Sequence, residues 1–322
     1  MEYLNSPAYN QSFLKKILGY PEDDKDEIVP GIRKHISLGN TVDAMLSYDD
    51  FDELIYIYNS EEPSELISKV INNAFKLDPY ISDDSIVQAI DLCGYKGNRS
   101  WDTVKRLEEI RKYSEYIEFL KNSNFKLILT EDQYNLAKTI CNNLYTAKNT
   151  EAYISSEGHK QLAVYFKYED VDCKALLDKA IETDTTIQPI DYKVTSSPLH
   201  QWKYVAKKFR YDFQAAFYTE ALRYAYPNKI ILPFIFIVAS SNPNILPYIY
   251  KVEDDDLLTG KYGLKIIHNI EIDNKPIAYY EQVNGFHQAI QLIKQKEFLN
   301  LDTYDVEGYL TNRSKSLSLW NS

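Results

Sequence analysis

Asp191 and Lys193 stand two residues apart at the end of an apolar run, Ile187-Gln188-Pro189-Ile190-Asp191-Tyr192-Lys193. Strand side chains alternate with period 2, so this spacing puts the carboxylate and the ammonium on one face. Asp178 closes the preceding β-rich run and can reach the same end of a sheet. Two carboxylates can hold a hard divalent cation through oxygen, and a lysine beside them can bind or deprotonate an attacking water. Downstream, Gln214 and Tyr218 are four residues apart and share one face of a helix, with Lys207 and Tyr211 further up that stripe. Phe209, Phe213, Ala216 and Phe217 form a second, apolar stripe. Acid-x-Lys triplets also occur at Asp23, Asp172 and Asp273, so the strand and the helix after it single out Asp191. A structural ion pair between Asp178 and Lys193 at a sheet edge is the alternative reading of the same residues.

The elements that must position this set read as an α/β fold in which a mixed sheet is flanked by helices. Residues 161–168 and 173–181 are β-rich and separated by an acidic turn, a hairpin signal, and 187–194 is a third strand. Residues 202–225 have the length and period of a helix, and 230–239 and 247–252 read as two more strands. The first of these is apolar on both faces, as expected of a covered central strand. A hairpin around Asp273-Asn274 and a helix over 281–298 follow. Residues 1–150 read as mainly helical, with helices over 10–18, 35–58, 64–76, 85–92, 101–121 and 130–147; Ser64, Asp84 and Thr130 are candidate caps. The expected organisation is a single domain: a helical part over 1–150, a core over 151–260, and a C-terminal extension over 261–322.

The totals bound the class of protein. With 322 residues and 44% hydrophobic content the chain can build a large core. Three scattered cysteines, Cys93, Cys141 and Cys173, allow neither a disulfide framework nor a four-cysteine metal site, and fit a reducing cytoplasm. The N-terminus lacks a secretion pattern, and the longest apolar run, 230–239, is half the ~20 residues of a membrane helix, so no membrane association is expected. The net charge of −11 argues against indiscriminate nucleic-acid binding. Locally the balance reverses. No acid lies between Asp191 and Asp212, where Lys203, Lys207, Lys208 and Arg210 alternate with Trp202, Tyr204, Phe209 and Tyr211. This can be one basic groove for DNA on an acidic protein, or a solvated helix face. Trp202 reads as a core anchor rather than a stacking platform.

Leu176-Leu177-Asp178, then Ile190-Asp191-Tyr192-Lys193-Val194-Thr195, then Tyr211-Asp212-Phe213-Gln214-Ala215-Ala216-Phe217-Tyr218 together resemble the PD-(D/E)xK nuclease superfamily, within it the RecB-like and RecE-like group of phage and bacterial exonucleases. The signature of that group is G-x-x-x-H/D, then D, then D-x-K, then Q-x-x-x-Y. The resemblance implies a restriction-endonuclease-like fold in which Asp178 and Asp191 bind Mg²⁺ or Mn²⁺. Lys193 would then position the nucleophilic water, and Gln214 and Tyr218 would order the site. Leu38 to Leu46 matches the helix that carries histidine in many relatives, with Asp43 in its place as a candidate ligand. Many relatives open the first core strand with an acid; here Gln161 stands there, with Glu157 four residues earlier. The iron–sulfur members need a cysteine cluster after the tyrosine, and none follows Tyr218.

The implied activity is a metal-dependent exonuclease acting at duplex DNA ends in phage-type recombination. A single-strand annealing protein is the implied partner, and a homo-oligomer the implied assembly. The alternatives are an endonuclease or partner-dependent nuclease of the same fold, and a non-catalytic DNA-end-binding protein.

Overall fold

The computed structural model describes residues 2–21, 38–59, 63–96, 102–122, 127–272 and 275–298. They divide into two compact units, Met1–Lys25 with Asn143–Ser322, and Asp26–Asn142. The chain begins in the first unit with α1 (Glu2–Asn5) and α2 (Gln11–Ile17), the latter capped by Asn10, whose side chain accepts from the Phe13 N–H.

The second unit is a small helical assembly: α3 (Leu38–Ser47), α4 (Phe51–Leu54), β1 (Ile55–Ile57), α5 (Glu65–Leu77), α6 (Asp83–Cys93), α7 (Thr103–Arg111), α8 (Ser114–Asn122) and β2 (Leu127–Leu129). Its core gathers Val70, Ile71 and Ala74 of α5, Ile86, Ala89 and Ile90 of α6, and Ile110 of α7. The single helix expected to run on to Tyr58 is broken after Ser47. Ile55-Tyr56-Ile57 pairs in parallel with Leu127–Leu129, a non-local pairing that overrides the helical spacing. The expected helix over 101–121 is two, α7 and α8. The α6 cap is Ser82, not Asp84: its hydroxyl accepts from the Ser85 N–H. At the start of α9 (Glu131–Thr146), Thr130 and Gln133 satisfy each other's backbone N–H in a reciprocal capping box.

After α10 (Glu151–Ser155) the first unit builds its sheet from β3 (His159–Tyr168), β4 (Val171–Glu182) and β5 (Thr186–Thr195). Glu169 and Asp170, both with positive φ (48° and 69°), make the tight β3–β4 turn whose twist suits a hairpin. A short 3-10 turn (Leu199–Gln201) leads into α11 (Trp202–Lys208) and α12 (Tyr211–Ala225). These two were expected as one helix; Arg210, left-handed at φ 54°, separates them. Pro233, which has no N–H to donate, likewise divides the expected strand over 230–239 into β6 (Ile230–Ile231) and β7 (Ile235–Ser240). The edge strand β8 (Tyr248–Lys251), α13 (Asp254–Tyr262), the separate hairpin β9 (Leu264–Ile272) and β10 (Lys275–Val283), and α14 (Phe286–Phe298) complete the unit.

The strand order is β3-β4-β5-β7-β8, with β6 beside β5; all pairings are antiparallel except β5 with β6 and β7. Every residue of β7 is buried, the outcome expected of a strand covered on both faces. One face carries the main core, in which Val164, Phe166, Cys173, Ala175 and Leu177 meet Phe213 and Phe217 of α12, Leu14 of α2, and Phe286 and Ile290 of α14. The C-terminal stretch, to which the sequence assigns no role, therefore contributes a core helix. Close packing of α13 on α12 depends on Gly260, where a Cβ would lie 2.1 Å from the Asp212 carbonyl oxygen. Among the described residues no helix is long and apolar enough to cross a membrane.

Candidate active site

The site forms where β4 and β5 part. Their antiparallel pairing runs from Glu182↔Ile187 to Lys179↔Ile190 and stops. One step further, Asp178 and Asp191 face each other across the opening. The next ladder donor, the Tyr192 N–H, is taken by Asp178 Oδ2 at 2.8 Å. A carboxylate thus does what a strand carbonyl would have done, and the two acids are held at the fork. The neighbouring part of β4 is paired instead by the N-terminal segment: Tyr9 N–H donates to the Asp172 carbonyl and Lys174 N–H to the Tyr9 carbonyl, both at 2.9 Å.

Asp178 lies inside β4, which runs on to Glu182, rather than at its close as the sequence suggested. Here the strand changes phase: Leu177 and Ala180, three residues apart, both face the main core, so the two-residue alternation slips once between them. In the β3–β4 register the position opposite Asp178 is Gln161, where the ladder skips a pair and the backbone takes φ 48°, unusual for a residue with a Cβ. Gln161, Asp178 and Asp191 therefore occupy one row across three strands. Glu157 does not join it. It is exposed ahead of β3, four residues and roughly 13 Å of extended chain from that row.

Asp191 is 1% exposed and held from two sides. Gln214 Nε2 of α12 donates to its Oδ1 at 2.6 Å, and Lys193 Nζ lies 2.6 Å from its Oδ2. The Lys193 ammonium also stands 4.9 Å from the centre of the Tyr211 ring. Tyr218, one turn after Gln214, is buried; that burial, and then the negative charges of Asp191 and Asp178, push its phenol well above the usual tyrosine range. Among the described residues, the buried side-chain amide oxygen of Gln214 has no hydrogen-bond partner. The expected shared face of Gln214 and Tyr218 is thus turned to the acids.

Lys203, Lys207 and Lys208 are exposed on α11, but Arg210 corrects the expectation of four cations for DNA. Arg210 is 5% exposed, and its guanidinium is committed to both carboxylate oxygens of Asp212 and, at 2.8 Å, to the Asn284 carbonyl. It serves the fold. Trp202 is a core anchor as expected, 4% exposed against Tyr211, Phe236 and Tyr250. Asp43 is carried by the other unit, on α3, where Ser47 Oγ donates to its Oδ1 at 3.2 Å. Sequence reasoning passed over Lys15, 2% exposed, whose Nζ donates to the Phe209 carbonyl at 3.0 Å and lies 5.9 Å from the Tyr211 ring. The signal was a lysine beside Leu14 on the apolar side of a short helix.

The oxygen donors at the fork suit a hard cation. Among the described residues no three His, Cys, Asp or Glu side chains converge as a ready-made cage. Two carboxylates, Asp178 and Asp191, match an ion that keeps several of its own waters, as Mg²⁺ does.

A mixed sheet forked between two acids, with Lys193 beside them and Gln214 and Tyr218 closing over from a helix, is a nuclease-type α/β fold. The chain belongs to the family described as the PDDEXK-like domain of unknown function (DUF3799), whose model matches residues 94–265, just over half of its length. A solved crystal structure from Eubacterium rectale, described only provisionally as an exonuclease, is similar over 63% of this chain and 80% of its own, at 15% identity and a TM-score of 0.33. At that score the likeness carries no argument. No curated protein matches the chain.

Proposed function

We propose that this protein is a divalent-metal-dependent deoxyribonuclease that hydrolyses phosphodiester bonds at the ends of duplex DNA. The observation that carries the reading is the buried Asp191, fixed by Gln214 and paired with Lys193 at the point where β4 and β5 open opposite Asp178. Asp178 and Asp191 would hold Mg²⁺ or Mn²⁺, which when bound polarises the scissile phosphate and lowers the pKa of a water. Lys193 would orient the attacking water and offset charge developing on the phosphate oxygens. Gln214 keeps Asp191 in one orientation, and Tyr218 stays a neutral phenol beside the acids. Lys203, Lys207 and Lys208 would meet the DNA backbone. The RecE-like motif order favours resection that exposes single strands for an annealing partner in phage-type recombination.

The test compares linear with circular duplex DNA in Mg²⁺ and in Mn²⁺. Loss of linear duplex only, abolished in Asp191→Ala and Lys193→Ala, is the expected result; equal digestion of closed circles would make it an endonuclease. Undiminished, metal-dependent cutting by both variants would remove the site. A second reading, a DNA-end-binding protein without catalysis, draws on the absence of a third converging ligand among the described residues. It holds if the wild type binds ends and cuts in neither metal.

A further inference from the structure

Tyr248 is a large aromatic left 58% exposed at the start of the edge strand β8. The register gives it a definite place: Lys193 of β5 pairs with Val238 of β7, and Val238 pairs with Tyr248. Paired residues share a face of the sheet, so Tyr248 lies on the face of Lys193, two strand spacings or roughly 10 Å away. Its ring is backed. Tyr250 packs beside it with ring centres 5.8 Å apart, Trp202 packs on Tyr250 at 4.5 Å, and the Tyr250 hydroxyl donates to the Leu199 carbonyl.

The loop leading into Tyr248 is also fixed. Asn143 Nδ2 donates to the Pro243 carbonyl at 2.6 Å and Asn149 Nδ2 to the Pro247 carbonyl at 2.8 Å. In a chain of net charge −11, no acid occurs between Glu220 and Glu253, a span that holds β7, this loop and β8. The helix α11 that starts with Trp202 exposes Lys203, Lys207 and Lys208. A rigid, uncharged aromatic face near the reactive lysine, with cations on the adjoining helix, matches one kind of partner: a polyanion that carries flat apolar rings.

We propose that Tyr248 is a stacking platform for the base next to the scissile phosphate, so that the site takes a strand whose terminal base is unpaired. This deepens the nuclease reading and rests on it for the position of the phosphate. Every base offers a π-face, so the contact tolerates sequence, and base–aromatic stacking gives a loss of about 5- to 150-fold on alanine substitution.

The test uses the full chain in Ca²⁺ and two oligodeoxynucleotides of equal length, one single-stranded with bases and one abasic. Tyr248→Ala should weaken binding of the base-bearing strand within that range and leave the abasic strand and the salt dependence unchanged, while Tyr248→Phe keeps wild-type affinity. Tyr248→Trp should add an emission, relative to wild type, that the base-bearing strand quenches and the abasic strand does not. Wild-type affinity in Tyr248→Ala, or equal loss for both strands, overturns the proposal. A wild type that binds and shows base-dependent quenching in Tyr248→Trp but cuts in neither Mg²⁺ nor Mn²⁺ upholds the platform and removes the nuclease reading. A wild type that binds neither strand removes both.

Discussion

Gln214 is the residue on which the order of the site turns, because its amide is a neutral donor to the buried Asp191. A carboxylate that must bind a cation gains from a partner that orients it without neutralising it, and loss of such a partner typically costs 10- to 100-fold in metal affinity or activity. Gln214→Leu keeps bulk and removes the donor, so the expected outcome is a half-saturating Mg²⁺ concentration raised by about 10- to 100-fold. A metal titration of DNA cleavage measures it, and an unchanged midpoint would show that the acid is fixed without Gln214. Gln161 makes the complementary case. It occupies the row of Asp178 and Asp191 with a neutral amide, on a backbone at φ 48° that most side chains avoid. Cation affinity rises with ligand charge, so Gln161→Glu should lower the Mg²⁺ requirement by on the order of tenfold. The same titration checks it; a rise instead would mean that the amide has a donor's task.

At the scale of elements, the N-terminus of α12 explains why the helix presents Gln214 and Tyr218 to the fork. Arg210 ends α11 in a left-handed conformation, and its guanidinium binds Asp212 and the Asn284 carbonyl, whose residue is also gripped by the Tyr20 hydroxyl. Removing one member of a buried, hydrogen-bonded charge pair strands the other, so Arg210→Ala should cost about 3 kcal/mol. Urea unfolding measures this. The slope of log affinity for DNA against log salt should not move. Lys207→Ala should behave in the opposite way, leaving stability alone, weakening DNA binding for all sequences and reducing that slope by about one. Arg210 also shows where the sequence stopped being legible. Its run of cations and aromatics reads as one basic helix, and neither Gly nor Pro announces the turn. The acid that spends its charge, Asp212, lies two residues away. By contrast β3, β4 and β5 were legible because alternation and turn chemistry are local. The parallel pair of β1 and β2 was not, because three-residue strands some seventy positions apart leave no period in either segment. The chemistry of the site was readable as an ordered set of residue types. The fork between β4 and β5, the phase slip at Asp178 and the row through Gln161 required the register.

The molecule as a whole is two units, each with a separate apolar core, one centred on Phe213, Phe217 and Phe286 and the other on Val70, Ile71 and Ile90. Cores that share no residues need not melt together, so calorimetry should resolve two transitions, or one whose van't Hoff enthalpy falls below the calorimetric value. Ile71→Val, which thins only the second core, should cost about 1 kcal/mol and identify its transition by lowering it alone. Metal then becomes a probe of which unit supplies the ligands. A cation at 100 times its dissociation constant stabilises the state that binds it by about 2.7 kcal/mol, a rise of roughly 5–10 °C for a unit of this size. If Asp178 and Asp191 suffice, Mg²⁺ raises the transition of the sheet-bearing unit and leaves the other in place, and that is the expected outcome. A rise confined to the transition that Ile71→Val marks, or no rise in either, would remove Asp178 and Asp191 as the ligands.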